Sequence, residues 1–573
     1  MASRVATTTL LLIVVLASAA RSAPGQASVN SQQTTAQTPA RDRAPARTGT
    51  AAIRGRVFAS DTGRPLRRAR ISLSAEYGDG RTTNTNPDGR YEIRDLPAGR
   101  YSMAVTRNGY LALRYGQRRP LEQGKPLQLL DKQVMDDVDF SLPRMSLITG
   151  HITDELGEPL SGVEAWVLRL VYFEGRRKLV PIARNVTTDD AGQYRLLSLV
   201  PGTYFVMGRI RETWSVSDGG VEQVMGYVPT YFPGTTSVGD ARRVTVGIGQ
   251  EVSGTDFSLI PGRAARISGT AVDSHGRSLT GYNVNVMQDL RGPLQRSMLG
   301  MGDGYVRADG TFTIKDVPPG DYTLSVRPAD GTLTGEGIAT PVVVNGVDID
   351  NLALVTSAGW SASGRVIDDR GASPDLPRAG MLIMAQPVSA ETIPAVTRSS
   401  DNNRVKDDWT FAVAGAFGPA RLRVLLPAGW MLKAVLHNGR DVADKLMDMK
   451  NGEELSGLQV VVTNKATTVT GQLTDDKGAP FTDGTVIVFA DEAEKWYEGS
   501  RYAQSARPDQ QGRYQIKGLP PGEYLAVALD YVQEGIWNDP EYLESIRRYG
   551  QKLALGEGAS QSVALKLTTL DAR

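Results

Sequence analysis

Residues 88–101 read Asp88-Gly89-Arg90-Tyr91-Glu92-Ile93-Arg94-Asp95-Leu96-Pro97-Ala98-Gly99-Arg100-Tyr101. This stretch holds a turn, a short run of alternating apolar residues and a second turn that leads into another run. Related stretches recur at 192–204, 310–322 and 512–524, with a blurred copy between the last two. Glycine accepts the positive φ of tight hairpin turns, and the alternation has a period of two. The stretch therefore predicts paired β-strands with one buried face.

An apolar-x-Gly-x-apolar phrase precedes each of these stretches. Its glycines lie 95, 119, 95 and 107 residues apart, at Gly55, Gly150, Gly269, Gly364 and Gly471. This period is too long for a solenoid and matches the size of single domains. Each unit closes on one more alternating strand, and the next unit begins a few residues later. The sequence predicts an all-β chain of five tandem Greek-key β-sandwich modules, and the short linkers predict a semi-rigid rod.

The sequence predicts seven consecutive parts of the chain. They are a signal peptide at 1–23, a disordered linker at 24–51 and modules 1 to 5 at 52–143, 144–261, 262–356, 357–464 and 465–573. Arg4, the apolar stretch 9–17 and the small residues at 17–20 are typical of a cleavable export signal. An uncleaved anchor is the alternative, but the apolar stretch is short for a membrane span. The linker is rich in Gln, Thr, Ala, Pro and Arg, which predicts disorder.

The composition excludes several kinds of site. The 573 residues include no cysteine, so disulfides, thiolate catalysis and cysteine-ligated metals are impossible. A net charge of +1 predicts no general attraction for nucleic acid or an anionic membrane. There is no second apolar segment, so no membrane span is predicted beyond the signal peptide. Export without disulfides predicts a bacterial periplasmic or secreted protein.

The phrases G-x-[VI]-x-D-x-x-G-x-P-L and D-x-x-G-x-[YF]-x-[IL]-x-x-L-P-x-G-x-Y together resemble the carboxypeptidase regulatory-like module. The resemblance covers nearly all of residues 52–570. It implies the transthyretin-like (prealbumin-like) β-sandwich that occurs beside metallocarboxypeptidase catalytic domains and in many bacterial exported proteins. The segments 429–442 and 526–540 are also similar to large exported proteins built only of such modules. Module 4 departs from the pattern at Phe417-Gly418-Pro419-Ala420, which predicts a variant sandwich.

No pattern typical of catalysis is present. The three histidines, His151, His275 and His437, lack the H-x-x-E and H-E-x-x-H spacings of metallopeptidases. Neither a G-x-S-x-G elbow nor a P-loop lysine occurs. The aspartates fall mainly at turns, where Asp is favoured for backbone reasons. The sequence predicts a non-enzymatic protein with no catalytic residues, no metal and no cofactor.

One turn has the ligand spacing of a calcium loop. The series Asn84-x-Asn86-x-Asp88-Gly89, followed by Asp95, has EF-hand-like intervals. Its first position is Asn, however, no flanking helices are predicted, and the other modules do not repeat it. We therefore favour an Asx-rich hairpin over a calcium site.

Loop aromatics are the candidate ligand-stacking residues. They are Trp496, Tyr497, Tyr502 and Trp537 in module 5, and Tyr227, Tyr231 and Phe232 in module 2. Exposed flat rings on a sandwich could stack on sugars, which makes a carbohydrate-binding protein the first alternative function. The favoured expectation is that these rings fold back and are buried. The tyrosine of each Pro-x-Gly-x-Tyr turn could likewise be a tyrosine corner or an ordinary core residue.

Helix is predicted only at 538–548, where Asn or Asp would cap, Pro540 would stand in the first turn, and arginines would come late. Charge is uneven along the chain. Residues 51–143 hold fourteen Arg and two Lys against eight Asp and three Glu, a net of +5. Residues 467–573 hold six Arg and five Lys against eight Asp and eight Glu, a net of −5. We favour solvated surfaces, with attraction between molecules or by folding back as the alternative.

The main functional prediction is an exported structural or binding protein of the bacterial cell envelope. Its expected partner is an unidentified protein or polysaccharide. Besides carbohydrate binding, the sequence leaves open an accessory chain to a peptidase or transporter.

Overall fold

A computed structural model describes residues 48–75, 80–119, 121–173, 176–291, 296–330, 335–378, 380–389, 394 and 403–570. The predicted signal peptide and most of the predicted linker lie outside these residues. The described chain is almost entirely β-structure. It includes two short 3₁₀ turns, Ala493–Lys495 and Ile536–Asn538, and one α-helix, α1, Pro540–Arg547. No helix among the described residues is long and apolar enough to span a membrane.

The strands of the first two modules are numbered in chain order. Module 1 has β1 (Ala51–Ala59), β2 (Arg70–Ala75), β3 (Arg81–Asn84), β4 (Arg90–Leu96), β5 (Gly99–Thr106), β6 (Leu113–Arg114), β7 (Leu127–Leu129), β8 (Val134–Met135) and β9 (Phe140–Leu142). Module 2 has β10 (Ser146–Thr153), β11 (Glu164–Phe173), β12 (Arg176–Pro181), β13 (Val186–Thr187), β14 (Gln193–Leu199), β15 (Gly202–Arg209), β16 (Thr213–Asp218), β17 (Val221–Val228), β18 (Thr230–Tyr231), β19 (Val244–Val246), β20 (Glu251–Val252), β21 (Phe257–Ser258) and β22 (Ile260–Arg263).

The numbering continues through the last three modules. Module 3 has β23 (Ala265–Val272), β24 (Tyr282–Arg291), β25 (Arg296–Tyr305), β26 (Thr311–Val317), β27 (Gly320–Pro328), β28 (Ala339–Val344) and β29 (Ile349–Val355). Module 4 has β30 (Trp360–Asp368), β31 (Leu382–Pro387), β32 (Thr410–Ala416), β33 (Ala420–Leu425), β34 (Met431–His437), β35 (Arg440–Asp441) and β36 (Glu454–Thr463). Module 5 has β37 (Thr468–Thr474), β38 (Thr485–Ala490), β39 (Ala503–Ala506), β40 (Arg513–Lys517), β41 (Gly522–Leu529), β42 (Gln551–Leu555), β43 (Ser560–Ser562) and β44 (Leu565–Lys566).

Modules 1, 2, 3 and 5 share one arrangement of two facing sheets, to which module 2 adds a three-stranded sheet of β16, β17 and β22. In module 1 the first sheet places β1 beside β4, antiparallel, and beside β8 and β9, both parallel. The second sheet has the order β3-β2-β5-β6, with β7 also on β5. Equivalent strands pair in the same way around β10, β23 and β37. The chain is all-β and built from β-sandwiches, as the alternation predicted.

Module 4 departs from this arrangement, as its altered motif indicated. Its first sheet has five strands in the order β32-β30-β36-β34-β35, and its second pairs β31 with β33 only. Trp360 fills the core at the start of β30 and donates a hydrogen bond from Nε1 to the carbonyl oxygen of Gly418 at 3.0 Å. Gly418 belongs to the Phe417–Ala420 turn that replaces the usual Leu-Pro-x-Gly. The altered turn is therefore hydrogen-bonded to a tryptophan in the core of this module.

Each module range contains a cluster of buried apolar side chains between its two sheets. In module 1 this cluster takes the inward-facing residues of successive strands, such as Ile53, Val57, Ile71, Leu73, Ile93 and Val105. The polar neighbours of these residues face outward, which is the period of two read from the sequence. A second cluster in module 5 lies between the outer face of its second sheet and α1.

The glycine of each leading phrase lies where two strands approach closely. A Cβ added there would lie 1.8 to 2.3 Å from a carbonyl oxygen at the module's end, opposite Gly55, Gly150, Gly269, Gly364 and Gly471. No side chain larger than hydrogen fits at such a distance. The repeated glycine is therefore required by the return of the last strand onto the first.

Buried tyrosines hold the turns and the closing strand. The hydroxyl of Tyr91 donates to the carbonyl oxygen of Val138 at 2.5 Å, and those of Tyr194 and Tyr514 do the same in modules 2 and 5. The tyrosine after each of these turns donates to a backbone carbonyl four residues earlier. In modules 1, 3 and 5 the turn is Pro-x-Gly-x-Tyr and the acceptor is the proline, whereas in module 2 the acceptor is Val200; the tyrosines are Tyr101, Tyr204, Tyr322 and Tyr524. Their rings are buried. The tyrosine-corner alternative is confirmed.

Helix α1 lies within the segment predicted to be helical. Asp539 caps it by accepting a hydrogen bond from the backbone N–H of Glu541 at 3.0 Å. Leu543 and Ile546 are buried against the sheet of module 5, and Tyr542 and Tyr549 are partly buried beside them. The apolar face of the helix therefore packs on the last sandwich.

The division into five modules remains a prediction that limited proteolysis would test. Early cuts are expected in the linker and then at the joints between modules, near Pro143, Pro261, Ser357 and Asn464. Strands whose backbone is bonded into a sheet resist proteases, whereas exposed joints do not. Pro261 lies within β22, which pairs with β17, so this joint should be cut later than the others. Mass spectrometry of the fragments would locate the cuts. Early cleavage inside the run 91–101 would contradict the assignment.

Candidate functional site

The four candidate aromatics of module 5 face inward or toward a neighbouring module. Trp496 is 6% exposed, and its Nε1 donates to the carbonyl oxygen of Ala490 at 2.7 Å. Its ring meets that of Phe489 edge to face, with centroids 5.6 Å apart. Tyr502 is buried, and Tyr497 and Trp537 are half-buried. Trp537 packs on the cluster beneath α1.

The three candidate aromatics of module 2 are also covered. Tyr227 is buried, stands 4.8 Å from the Trp214 ring and donates from its hydroxyl to Glu155 at 2.9 Å. Phe232 is buried in the core, and Tyr231 is half-buried against a smaller cluster. None of the seven rings is an exposed platform for stacking on a sugar. The structure thus favours the packing alternative for these residues.

Two of these aromatics belong to a polar network between modules 4 and 5. Asp444 of module 4 accepts hydrogen bonds from the hydroxyl of Tyr497 at 2.8 Å and from that of Tyr502 at 3.0 Å. Arg501 adds bonds at 2.7 and 3.1 Å to the same carboxylate and donates to the carbonyl oxygen of Leu432 at 2.7 Å. One carboxylate therefore binds three side chains of the next module.

The pKa of Asp444 gives this network a pH dependence. Burial by itself would raise that pKa, but hydrogen bonds and the charge of Arg501 hold it below its usual value. A carboxylate of lowered pKa contributes stability that is complete above its unfolded pKa, near 3.8, and is lost as the pH falls through the folded pKa. We therefore expect Asp444→Asn to cost about 2 kcal/mol at pH 6 and progressively less as the pH falls below the unfolded pKa of 3.8. Thermal unfolding across this range checks it, and a constant difference in Tm would contradict it.

The histidines and the Asn84–Asp95 turn make local contacts. His151 Nδ1 lies 3.1 Å from a carboxylate oxygen of Asp256 on the module surface. The Oδ1 of Asn86 accepts from the backbone N–H of Asp88 at 3.1 Å and of Arg90 at 2.8 Å, which is the bonding of an Asx turn. Among the described residues, no three His, Asp or Glu side chains are grouped as metal ligands would be.

The first and last modules are in contact through a buried ion pair. Glu122 of module 1 lies 3.1 Å from Arg507 of module 5, and their side chains are 2% and 0% exposed. Arg507 also donates to the carbonyl oxygens of Gln123 at 2.8 Å and Gly116 at 3.2 Å, both in module 1. Within module 5 it donates to the carbonyl oxygen of Asp483 at 2.9 Å. This arginine thus crosses between the two modules.

Half-buried and exposed charges surround this pair. Arg114 donates to both carboxylate oxygens of Glu534, at 2.7 and 2.9 Å. The other contacts join Arg119 to Asp530 at 3.0 Å, and Arg118 and Lys125 to Asp483. We call these four ion pairs the rim pairs. In each of them module 1 supplies the cation and module 5 supplies the anion. The opposite net charges of the two modules therefore meet at one place.

Backbone groups complete this contact, which we call the clasp (residues 114–125 with 483–534). The N–H of Glu534 donates to the carbonyl oxygen of Leu121 at 2.7 Å, and Glu122 forms a β-bridge with Gln533. The expectation of an extended rod is wrong, because modules at opposite ends of the series touch. The expectation that the opposite charges of modules 1 and 5 are only solvated surfaces is wrong for the clasp residues. For them the alternative holds, in which the chain folds back and the two modules attract each other.

A cleft of about 530 Å³ lies between modules 1 and 5 beside the clasp. Arg100, Arg114, Lys125 and Arg507 are among its lining residues, together with Glu534. The cations outnumber the anion in this lining, so an anionic group would be favoured there over a cationic one.

Sequence reasoning did not select the residues of these contacts. Glu122 and Arg507 stand 385 positions apart, and neither lies in a repeated motif. The one signal in the sequence was the opposite net charge of modules 1 and 5. That signal indicated attraction between the modules but could not identify the pair that is buried.

Comparisons with known proteins concern the fold. The minor pilin GBS52 of Streptococcus agalactiae is 13% identical, with a TM-score of 0.20 over 36% of this chain and 95% of its own. The shaft pilin SpaA of Lactobacillus rhamnosus GG is 16% identical, with a TM-score of 0.19 over 37% and 98%. TM-scores this low carry no argument about the fold or the function of this chain. No curated protein matches the sequence. Residues 52–141 match the family model of the carboxypeptidase regulatory-like domain, so the resemblance is confirmed for module 1.

Proposed function

We propose that this protein is a non-enzymatic, exported structural protein of the bacterial cell envelope whose modules are held together as one body. The observation that carries the proposal is the clasp, in which Glu122 and Arg507 are buried between the first and last modules. Burying two charges is costly and is tolerated where the contact is well formed. Such a contact fixes the relative position of two modules, which suits a scaffold.

The polar residues near the candidate site serve the same purpose. Asp444 binds Tyr497, Arg501 and Tyr502 across the junction of modules 4 and 5. Arg177 of module 2 pairs with Asp539 of module 5 at 3.0 Å. Module 5 therefore contacts modules 1, 2 and 4. These groups satisfy one another and hold modules together.

Export and partner are parts of the same proposal. The segment around Arg4 and residues 9–20 supports passage out of the cytoplasm with removal of a signal peptide. Mass spectrometry of protein recovered from the envelope would show a new N-terminus close to residue 23. The partner would be a protein or polysaccharide of the envelope.

Three measurements on the full chain test this function. Peptidase and esterase substrates should not be turned over, and zinc or calcium should not raise the melting temperature. Turnover of such a substrate would contradict the non-enzymatic role, and a metal-dependent rise that chelator reverses would contradict the metal-free one. Capture from envelope extracts should recover a partner with the wild-type protein. Less of that partner should be recovered with Arg114→Glu/Arg119→Glu, in which like charges face each other across the clasp. Equal recovery would show that partner binding does not depend on the clasp.

A further inference from the structure

The clasp joins two different surfaces of one chain. Module 1 supplies one surface through Arg114, Arg118, Arg119 and Lys125, and module 5 supplies the other through Asp483, Asp530 and Glu534. Two module 1 surfaces would repel each other, as would two module 5 surfaces. Each surface therefore fits only its complement.

Opening the clasp would leave both surfaces unsatisfied. Arg507 would lose Glu122 and the carbonyl oxygens of Gly116 and Gln123. The backbone N–H of Glu534 would lose its acceptor on Leu121. An opened chain therefore has a strong tendency to form the same contact again.

The two surfaces of the clasp belong to segments that are far apart in the chain. Arg507 stands 382 positions after Lys125, and the joints of three intervening modules lie between them. Rotation at the joint near Pro143 would separate the surfaces while every sandwich stayed folded and module 5 kept its contacts with modules 2 and 4. A second copy of the chain then presents a surface identical to the one from which the opened surface has separated.

We propose that the clasp is exchangeable, so that module 1 of one copy binds module 5 of a second copy of this chain. This inference rests on the clasp and goes beyond the proposed structural role by naming the partner. The effective concentration within one chain is high, on the order of millimolar, so a closed single chain is the resting form. Exchange follows when the closed form is opened. Two of the rim pairs, Arg114–Glu534 and Arg119–Asp530, are about half exposed, and salt screens them. The strength of these pairs sets how readily the clasp opens.

Charge reversal in the full chain tests the proposal. One variant carries Arg114→Glu and Arg119→Glu, and the other carries Asp530→Arg and Glu534→Arg. The four side chains are 43 to 54% exposed, so the sandwiches should fold in both variants, and circular dichroism checks this. Each variant alone has like charges across its clasp. In a mixture, module 1 of each variant is complementary to module 5 of the other.

The expected result is that each variant alone is a monomer and that the equimolar mixture has twice the mass of one chain. Light scattering in about 20 mM salt measures this, and the complex should separate by about 300 mM. The chain with all four substitutions restores the complement within one molecule and should be a monomer. A mixture that stays monomeric while this fourfold variant regains a closed clasp would overturn the proposal. So would protection of the residue 534 amide in either double variant equal to that in wild type, because the clasp would then not open.

Discussion

Replacing Gly471 with alanine is expected to destabilise module 5 by about 3 kcal/mol. The added Cβ would lie 1.8 Å from the carbonyl oxygen of Val563 and 2.8 Å from the hydroxyl of Tyr514. These two groups bond each other at 2.6 Å, so neither can move without loss of that hydrogen bond. The strand that closes the sandwich would have to shift away from β37. Hydrogen exchange in β37 and β40 should become about 100-fold faster.

Gly556 supplies the control within the same module. A Cβ at this position meets nothing within 4 Å. Gly556→Ala should therefore change stability by less than about 0.5 kcal/mol. Equal exchange rates in the two variants would show that the close approach of strands is not the reason for the repeated glycine.

Replacing Glu122 with glutamine is expected to weaken the clasp by about 3 kcal/mol, because Arg507 would be left as a buried charge without its counterion. Glutamine keeps the size of the side chain and one acceptor oxygen, which can still accept from the backbone N–H groups of Arg118 and Arg119, and it removes the charge. The N–H of Glu534, which bonds Leu121 across the clasp, reports opening. Its exchange should become about 100-fold faster, while amides in the core strands of modules 1 and 5 change little.

Asp530→Asn tests whether removing any charge at the clasp would speed exchange of the Glu534 amide as much as Glu122→Gln does. Asp530 and Arg119 form an ion pair with side chains 54% and 52% exposed. Exposed pairs contribute at most about 1 kcal/mol, so the Glu534 amide should be nearly unaffected. If Asp530→Asn matches Glu122→Gln, the buried pair has no special part in holding the modules together.

Local rules made much of the fold predictable. The period of two fixed the strand faces, the Asp-Gly turns predicted hairpins, and α1 was found from its cap and its Pro540. The fixed spacing between turn and ring left the tyrosine corner and an ordinary core tyrosine as alternatives, and the hydrogen bonds decide for the corner. The repeated glycine was visible in the sequence, although its reason, a carbonyl group across the sheet, appears only when the last strand is in place.

Contacts between modules could not be predicted in the same way. Asp444 looked like one of many turn aspartates, and nothing near it indicated that it would accept hydrogen bonds from a residue 53 positions away. The aromatics of 496–502 were singled out because they interrupt the alternation. That interruption marks a junction between modules as readily as a ligand site. Pairings between distant segments leave no periodic trace in either segment.

Tension applied to the two ends of a module would act along its strands. In each module the chain enters through a first strand that is paired in parallel with a strand near the module's end: the last strand in modules 1, 3, 4 and 5, and β21 in module 2. The chain therefore enters and leaves at opposite ends of the same ladder. A pull would load this ladder in shear, and its hydrogen bonds would have to break together. The pairing in module 4 is the longest, running from Ser361 opposite Glu454 to Asp368 opposite Val462. Module 4 should therefore need the highest force to unfold.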